Sequence, residues 1–285
     1  KNFRSLIYDQ SSVEQAGLKK FMRGNVKNST ITDFKMFLIP EMFADFYNFQ
    51  GIYMDFAEYD DESSNPNYTQ EDQQRINEEL SPFFRFHLFS NLQRLNLAFH
   101  DALYPLGPFV LKGFQSLKNL KNFNIDISKR SIGTKYLFQA LLHLPLLKVF
   151  SLQRIRLKSE DWELLTMFLQ TQRQLETFRF HIHEKSPTRD QYLEQNQRLE
   201  FLIKTFVGQK ALKNLEIQSE YFSLETLSNA LKHLNMPNQL RSFIFKVSDD
   251  TINAVEKCEK ARVEGLCKFL KSQSQSLKEL GLKFA

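Results

Sequence analysis

The chain has 285 residues, of which 42% are hydrophobic and 25% are charged, and its formal net charge is +5. This apolar content is ample for a packed core, and no run of 18 apolar residues predicts a membrane span. Two cysteines, Cys258 and Cys267, exclude a disulfide framework and favour a reducing compartment.

The first 91 residues carry two weak strand patterns, at residues 3–8 and 49–56. The long intervals between them predict irregular N-terminal repeats with large insertions. Thr69 and Asp72 form a capping box that predicts a helix through about residue 88. A separate helical cap is therefore the alternative for residues 1–91.

Seven segments from residue 92 onward share apolar residues at positions one, four and six. They are Leu92-Leu95-Leu97, Leu120-Phe123-Ile125, Leu147-Phe150-Leu152, Leu175-Phe178-Phe180, Leu212-Leu215-Ile217, Leu240-Phe243-Phe245 and Leu277-Leu280-Leu282. Successive segments lie 27, 28 or 37 residues apart. A period near 28 with two insertions predicts a solenoid of about seven repeats over residues 92–285, in which each repeat buries its apolar side against its neighbours.

Each repeat is predicted to contain a strand followed by a helix, which gives parallel strands with helical crossovers. The predicted helices cover about residues 131–143, 189–207, 224–234 and 250–271, and a further helix is predicted to begin at Ser159 and to bury Trp162, Leu165, Phe168 and Leu169. Cys267, which has apolar neighbours in the chain, is expected in the core. Because helices need about 10 Å and strands about 4.8 Å, the sheet is expected on the inside of an arc.

The helical part of the second repeat carries Gly133, Leu137, the pair Ala140-Leu141 and Pro145 ahead of the next strand. This stretch resembles the ribonuclease-inhibitor-like subfamily of leucine-rich repeats, and the resemblance extends over residues 92–284. It implies an α/β leucine-rich-repeat solenoid with a curved parallel sheet on the concave face and helices on the convex face. The chain departs from the family at position nine of the strand motif, where the usual Asn is missing.

No motif for nucleotide binding, hydrolysis or zinc proteolysis is present, so the sequence predicts no catalytic residue and no cofactor. His181 and His183 lie two apart on one predicted strand, a spacing that can serve a metal. Exposed strand residues are the favoured interpretation, because Arg179 shares their face and no third ligand is near in sequence. No metal site is predicted.

The candidate protein-binding residues are those that the strand pattern places on the concave face. They are Tyr53, Asp55, Arg94, Asn96, Asn124, Asp126, Gln153, Arg179, His181, Glu216, Gln218, Ile244, Lys246 and Lys283. Position seven changes from acidic to basic along the chain, which suggests a charge gradient that orients an elongated partner. Ordinary solvated positions, and binding through the ends or the insertions, are the alternatives.

The resemblance implies a non-catalytic protein-interaction scaffold, a subunit of a large multiprotein assembly of ciliary, axonemal or organellar type. The expected location is the cytoplasm or cilium, with the mitochondrion as a second possibility. Other protein subunits are the expected partners, and neither a membrane nor a small molecule is expected. The alternatives are a small-GTPase regulator using Arg94 or Arg179, a ubiquitin-ligase substrate adaptor, and a nucleic-acid-binding accessory protein suggested by the pI near 9.0.

Overall fold

The protein is an α/β chain in which parallel strands alternate with helices. The computed structural model describes residues 5–8, 33–36, 51–55, 92–99, 108–127, 134–155, 157, 159–182, 189–219, 224–232, 239–247 and 264–284. The chain divides into two compact units, residues 1–147 and residues 148–285. The alternation of strand and helix confirms the predicted α/β class.

Unit 1 contains five described strands and two described helices. These are β1 Ser5–Tyr8, β2 Asp33–Met36, β3 Gly51–Asp55, β4 Arg94–Phe99, α1 Pro108–Phe114, β5 Asn122–Ile127 and α2 Thr134–Leu141. Each strand pairs in parallel with the next strand in the chain. Leu95 pairs in register with Phe123 and Leu97 with Ile125, as the repeat pattern predicts.

The strand β2 is absent from the sequence prediction, which placed only two strands before residue 91. Ile31, Phe34 and Met36 repeat the spacing of positions one, four and six, and Phe34 lies 28 residues after Leu6. One interval of 28 residues thus occurs in the N-terminal region, although the partner of Phe34 on β3, Ile52, follows it after only 18 residues. The helix predicted from residue 69 to about 88 lies outside the described residues.

Unit 2 contains five strands and four helices in strict alternation among its described residues. These are β6 Val149–Ile155, α3 Ser159–Thr171, β7 Thr177–Ile182, α4 Arg189–Thr205, β8 Asn214–Ser219, α5 Leu224–Lys232, β9 Ser242–Val247, α6 Glu264–Ser272 and β10 Glu279–Phe284. Neighbouring strands are parallel and follow chain order. Predicted helix α3 is confirmed, and its residues Trp162, Leu165, Phe168 and Leu169 are buried.

Phenylalanine fills much of the interior of unit 2. The Phe178 ring is fully buried and lies 5.2 Å from that of Phe206, 5.8 Å from that of Phe180 and 5.9 Å from that of Phe150. Trp162 of α3 meets Phe180 edge-on at 5.4 Å. These contacts join the apolar side of the strands to the helices and hold the sheet in place beneath its polar face.

One repeat contains a bulge. The pairing of β6 with β7 shifts between Leu152 and Ile155, and Arg154 has a φ of 55°. One additional residue in β6 thus opposes β7, and a left-handed backbone conformation accommodates it. The result is that Ile155, at position nine of its repeat, is buried opposite Ile182, where the family pattern would place Asn.

Buried glutamines connect the turns that lead from helices into strands. The side-chain amide of Gln209 donates to the Leu169 carbonyl at 2.6 Å, and that of Gln239 donates to the Gln209 carbonyl at 2.7 Å. The Gln273 side-chain oxygen accepts from the backbone N–H groups of Gln239 and Leu240 at 3.1 and 3.0 Å. Each bond joins residues 30 to 40 apart in the chain, so these amides fix the position of one turn relative to the next.

Helices α5 and α6 approach each other closely. The buried Ser228 hydroxyl of α5 accepts from the N–H groups of Gly265 and Leu266 at 3.1 and 3.3 Å. A Cβ added at Gly265 would lie 2.0 Å from the Ser228 carbonyl oxygen. Glycine is therefore required here by space, and a serine of the preceding helix caps the start of α6.

The expectation that Cys267 is buried is wrong, since its side chain is exposed. Leu266 and Phe269 are the buried residues of this part of α6. They are three apart and share one face, whereas Cys267 is rotated about 100° from Leu266 around the helix axis. Neighbours in sequence are therefore a poor guide to burial on a helix.

Candidate protein-binding surface

In each unit, the polar face of the strands arises from the alternation of side chains along them. Positions four and six point into the apolar layer, so positions three, five and seven point away from it. Strand pairing in register then places equivalent positions of successive strands side by side. The candidate residues of each unit consequently fall into short rows.

In unit 1 the structure brings six of the candidate residues onto β3, β4 and β5. Tyr53 pairs with Asn96 and Asn96 with Asn124, while Asp55 and Asp126 occupy the equivalent positions of the seventh row. The Asn124 side-chain amide donates to the Asn96 side-chain oxygen. Arg94, at position three of β4, is partly exposed.

In unit 2 the rows contain seven of the other eight candidate residues. Position five aligns Arg179, Glu216, Ile244 and Gly281, and position seven aligns His181, Gln218, Lys246 and Lys283. Gln153 lies in the bulge of β6, where it is exposed and its amide donates to the Ser151 hydroxyl at 3.1 Å. The side chains of Tyr53, Asp55 and Lys283 lie outside the described residues.

Glu216 is the charged centre of this face. Its carboxylate lies 3.4 Å from the Arg179 Nε atom and 2.9 Å from the Lys246 Nζ atom. All three side chains are between a quarter and a half exposed. A carboxylate between two cations keeps a net positive charge available to a partner while fixing the cations in place.

The Ile244 side chain packs against the glycine at position 281 of the neighbouring strand. A Cβ at that glycine would lie 3.2 Å from the Ile244 side chain. Ile244 is half-buried and is flanked on its other side by Glu216. The polar face of unit 2 thus combines a charged cluster with one accessible apolar side chain, a composition suited to protein binding.

A second ionic cluster lies where the strands of unit 2 begin. The Glu176 carboxylate lies 2.7 Å from the Lys213 Nζ atom and 3.2 Å from that of Lys148. Hydrogen bonds from Lys213 and then Lys148 hold the pKa of Glu176 below its ordinary value. This cluster is not among the residues predicted from the sequence, although position two of the repeats is basic in most of the seven segments.

For a metal site at the histidine pair, the part of the chain that the structure describes offers no additional ligands. Among those residues no group of three or more His, Cys, Asp and Glu side chains could hold an ion. His181 lies on β7 and is partly exposed, and His183 falls outside the described residues. Within the same described ranges, no helix has the length and apolarity that crossing a bilayer would need.

No protein-family model matches the chain, and no curated protein is significantly similar to it in sequence.

Proposed function

We propose that the chain is a leucine-rich-repeat scaffold that binds other proteins through the polar face of its strands, without catalysing a reaction itself. The observation that carries this proposal is the alignment of Arg179, Glu216, Ile244 and Gly281 in one row across four successive strands. Such a row offers a partner several side chains at fixed spacings of about 4.8 Å.

The rigidity of the scaffold supports the same function. Strands held by regular parallel pairing, a phenylalanine interior and glutamine-bonded turns keep the face in one arrangement before a partner arrives. Preorganised side chains lose less conformational entropy on binding than mobile ones do. The expected partners are other subunits of a multiprotein assembly, the role implied by the resemblance to leucine-rich repeats.

Site-directed photo-crosslinking tests this proposal. A photo-crosslinking amino acid placed at Gln218, in the centre of the face of unit 2, is expected to capture a defined protein from native extract. The same group at Lys268, which is exposed on α6, provides the matched control. Unlabelled wild-type chain should compete the product away in proportion to its concentration.

Charge reversal supplies the second part of the test. Arg179→Glu and Lys246→Glu are expected to reduce the crosslinked product at Gln218 at least about tenfold, because they place like charges opposite the partner. Lys268→Glu changes the net charge equally and should leave the product unchanged. A product obtained only from Lys268, or one insensitive to both face variants, would reject the sheet face as the binding surface.

A further inference from the structure

The edge of unit 2 where helices end and strands begin is strongly basic. Its described residues include nine cations, defined here as the basic edge. They are Lys148, Arg173, Lys204, Lys210, Lys213, Lys232, Arg241, Lys271 and Lys278. Two carboxylates, Glu176 and Glu279, lie in the turns and strand starts of this edge, and a third, Glu200, lies one turn before Lys204 on α4.

Helix dipoles account for part of this charge. Lys204, Lys232 and Lys271 lie in the last turns of α4, α5 and α6, where a cation offsets the negative end of the dipole. The other six cations lie beyond the helix ends, in the turns or directly before a strand. Interaction with the helix dipoles therefore accounts for only three of the nine cations of the basic edge.

Several of these cations form no ion pair with another residue that the structure describes. Lys148 and Lys213 pair with Glu176, and Lys204 pairs with Glu200 at 2.7 Å. By contrast, no ion pair within the described residues engages the other six members of the basic edge, all of which are exposed: Arg173, Lys210, Lys232, Arg241, Lys271 and Lys278. Exposed like charges repel one another, and an anionic partner would relieve that repulsion.

The cations are held in a row by the backbone. The Lys213 carbonyl accepts the N–H groups of Arg241 and Ser242, and the Arg241 carbonyl accepts those of Lys278 and Glu279, at 2.7 to 3.1 Å. Lys213, Arg241 and Lys278 therefore stand on successive strands and span about 10 Å in two steps. The glutamine bonds of the neighbouring turns keep this row rigid.

We propose that the basic edge of unit 2 docks an acidic segment of another protein. Two observations favour a polypeptide over a nucleic acid. The described turn residues of the edge, 172–176, 207–213, 239–241 and 273–278, contain no aromatic side chain on which a base could stack. Glu176 and Glu279 also interrupt the row of cations, an arrangement that suits a segment of mixed sequence better than a uniform polyphosphate.

The basic edge is a different surface from the sheet face, so either proposal can fail while the other holds. Fluorescence anisotropy with a labelled peptide of about ten residues, in which pairs of glutamates alternate with serines, tests the edge directly. At about 50 mM salt the full chain is expected to bind this peptide, with an affinity that falls as salt rises. Absence of binding under these conditions would overturn the proposal.

Variants locate the site. Lys210→Glu combined with Arg241→Glu and Lys278→Glu is expected to weaken peptide binding at least about tenfold, and Arg241→Glu alone about threefold. Lys268→Glu, an equal change of charge on the exposed side of α6 and one turn before Lys271, is expected to weaken binding less than Arg241→Glu alone does, because Lys268 is not a member of the basic edge. Circular dichroism and unfolding curves confirm that each variant folds, and Arg241→Gln provides a milder replacement that removes charge without reversing it.

Anisotropy measurements with a single-stranded oligothymidine of about ten nucleotides test whether the edge binds nucleic acid more tightly than the acidic peptide. Tighter binding of the oligonucleotide than of the peptide, lost in the triple variant, would assign the edge to nucleic acid and overturn the proposal. Peptide binding that the triple variant retains would do the same, since the acidic segment would then bind elsewhere. Preferential peptide binding that depends on the three cations is the expected result.

Discussion

The turns that lead into the strands of unit 2 and the polar face of its sheet both carry many polar side chains, but they use them differently. In the turns, Gln209 and Gln273 are buried and bond to backbone groups of neighbouring repeats. On the face, Arg179, Glu216 and Lys246 pair with one another while partly exposed to solvent.

The polar side chains of the turns serve the stability of the fold, whereas those of the face are available for binding. A buried polar group that loses its partner pays a desolvation cost, so the turn glutamines contribute to the stability of the fold. Exposed ion pairs contribute little to stability because water and salt screen them. Side chains on the face can therefore be exchanged during evolution or engaged by a partner without loss of the fold.

A substitution in the apolar layer beneath the turns and the face should cause the largest loss in the free energy of unfolding. Phe178→Ala removes a fully buried ring that contacts Phe150, Phe180 and Phe206, and we expect a loss of about 4 kcal/mol in the free energy of unfolding. Met167→Ala, which truncates a side chain that is half exposed on α3, is the control and should cost less than about 1 kcal/mol. Urea unfolding followed by circular dichroism measures both, and equal losses would contradict the assigned interior.

A substitution where α5 packs against α6 should cause the second-largest loss in the free energy of unfolding. Gly265→Ala places a methyl group against the Ser228 carbonyl, so the helices must move apart, at a cost of about 3 kcal/mol. Gly208→Ala tests a different cause, since its φ is 90° but the space around it is open. We expect about 1 kcal/mol there from backbone strain alone. If Gly265→Ala costs no more than Gly208→Ala, the close approach of the two helices is wrong.

Removal of one turn glutamine should have an intermediate effect. Gln273→Ala leaves the N–H groups of Gln239 and Leu240 without their acceptor, and we expect the free energy of unfolding to fall by about 2 kcal/mol. Gln170→Ala on the exposed side of α3 is the matched control and should change it by less than about 0.5 kcal/mol. Amide hydrogen exchange provides an independent measurement, because the two N–H groups should exchange faster in the Gln273 variant only.

The ion pairs of the sheet face should matter far less to stability. Glu216→Gln removes the carboxylate shared by Arg179 and Lys246, and we expect a loss of less than about 1 kcal/mol that diminishes further at high salt. Denaturant unfolding at low and high ionic strength measures the change. A loss as large as that of Gln273→Ala would remove the distinction between the face and the turns.

The smallest effect concerns Glu176 and is visible only through its dependence on pH. Because Lys213 and Lys148 lower the pKa of this carboxyl in the folded state, its contribution to stability is present above the ordinary pKa of glutamate and is lost as the pH falls through the folded value. The stability difference between wild type and Glu176→Gln should therefore shrink between about pH 5 and pH 3. Glu163→Gln, an exposed acid on α3, serves as the control, and a difference that persists at low pH would contradict the assignment.

The sequence pattern predicted the strands and their register well because burial constrains those positions tightly. Leucine or phenylalanine at positions one, four and six can point inward only if the strands align, and Phe150, Phe178, Leu215 and Phe243 do pair in that order. A shift of one residue would expose the whole set. The N-terminal strand β2 carries the same spacing, so a complete search for the pattern would have found it.

Other features could not be predicted from local pattern. The bonds of Gln209 and Gln273 lie in the turns before the strands, and the strand motif from which the repeats were predicted does not include those positions. The exposure of Cys267 depends on which face of α6 meets α5. The residues of the face and the basic edge are not constrained by packing, so their chemistry follows from the structure only after the strands are aligned.

The bond from Ser228 makes one helix depend on its predecessor. The first turn of α6 has two of its N–H groups satisfied by a side chain that is in position only when α5 has formed. Assembly of this part of the chain thus has a direction, since α5 can form its own bonds first whereas α6 needs a completed neighbour. Loss of α5 would therefore leave α6 without a stable beginning, and the two helices should melt together.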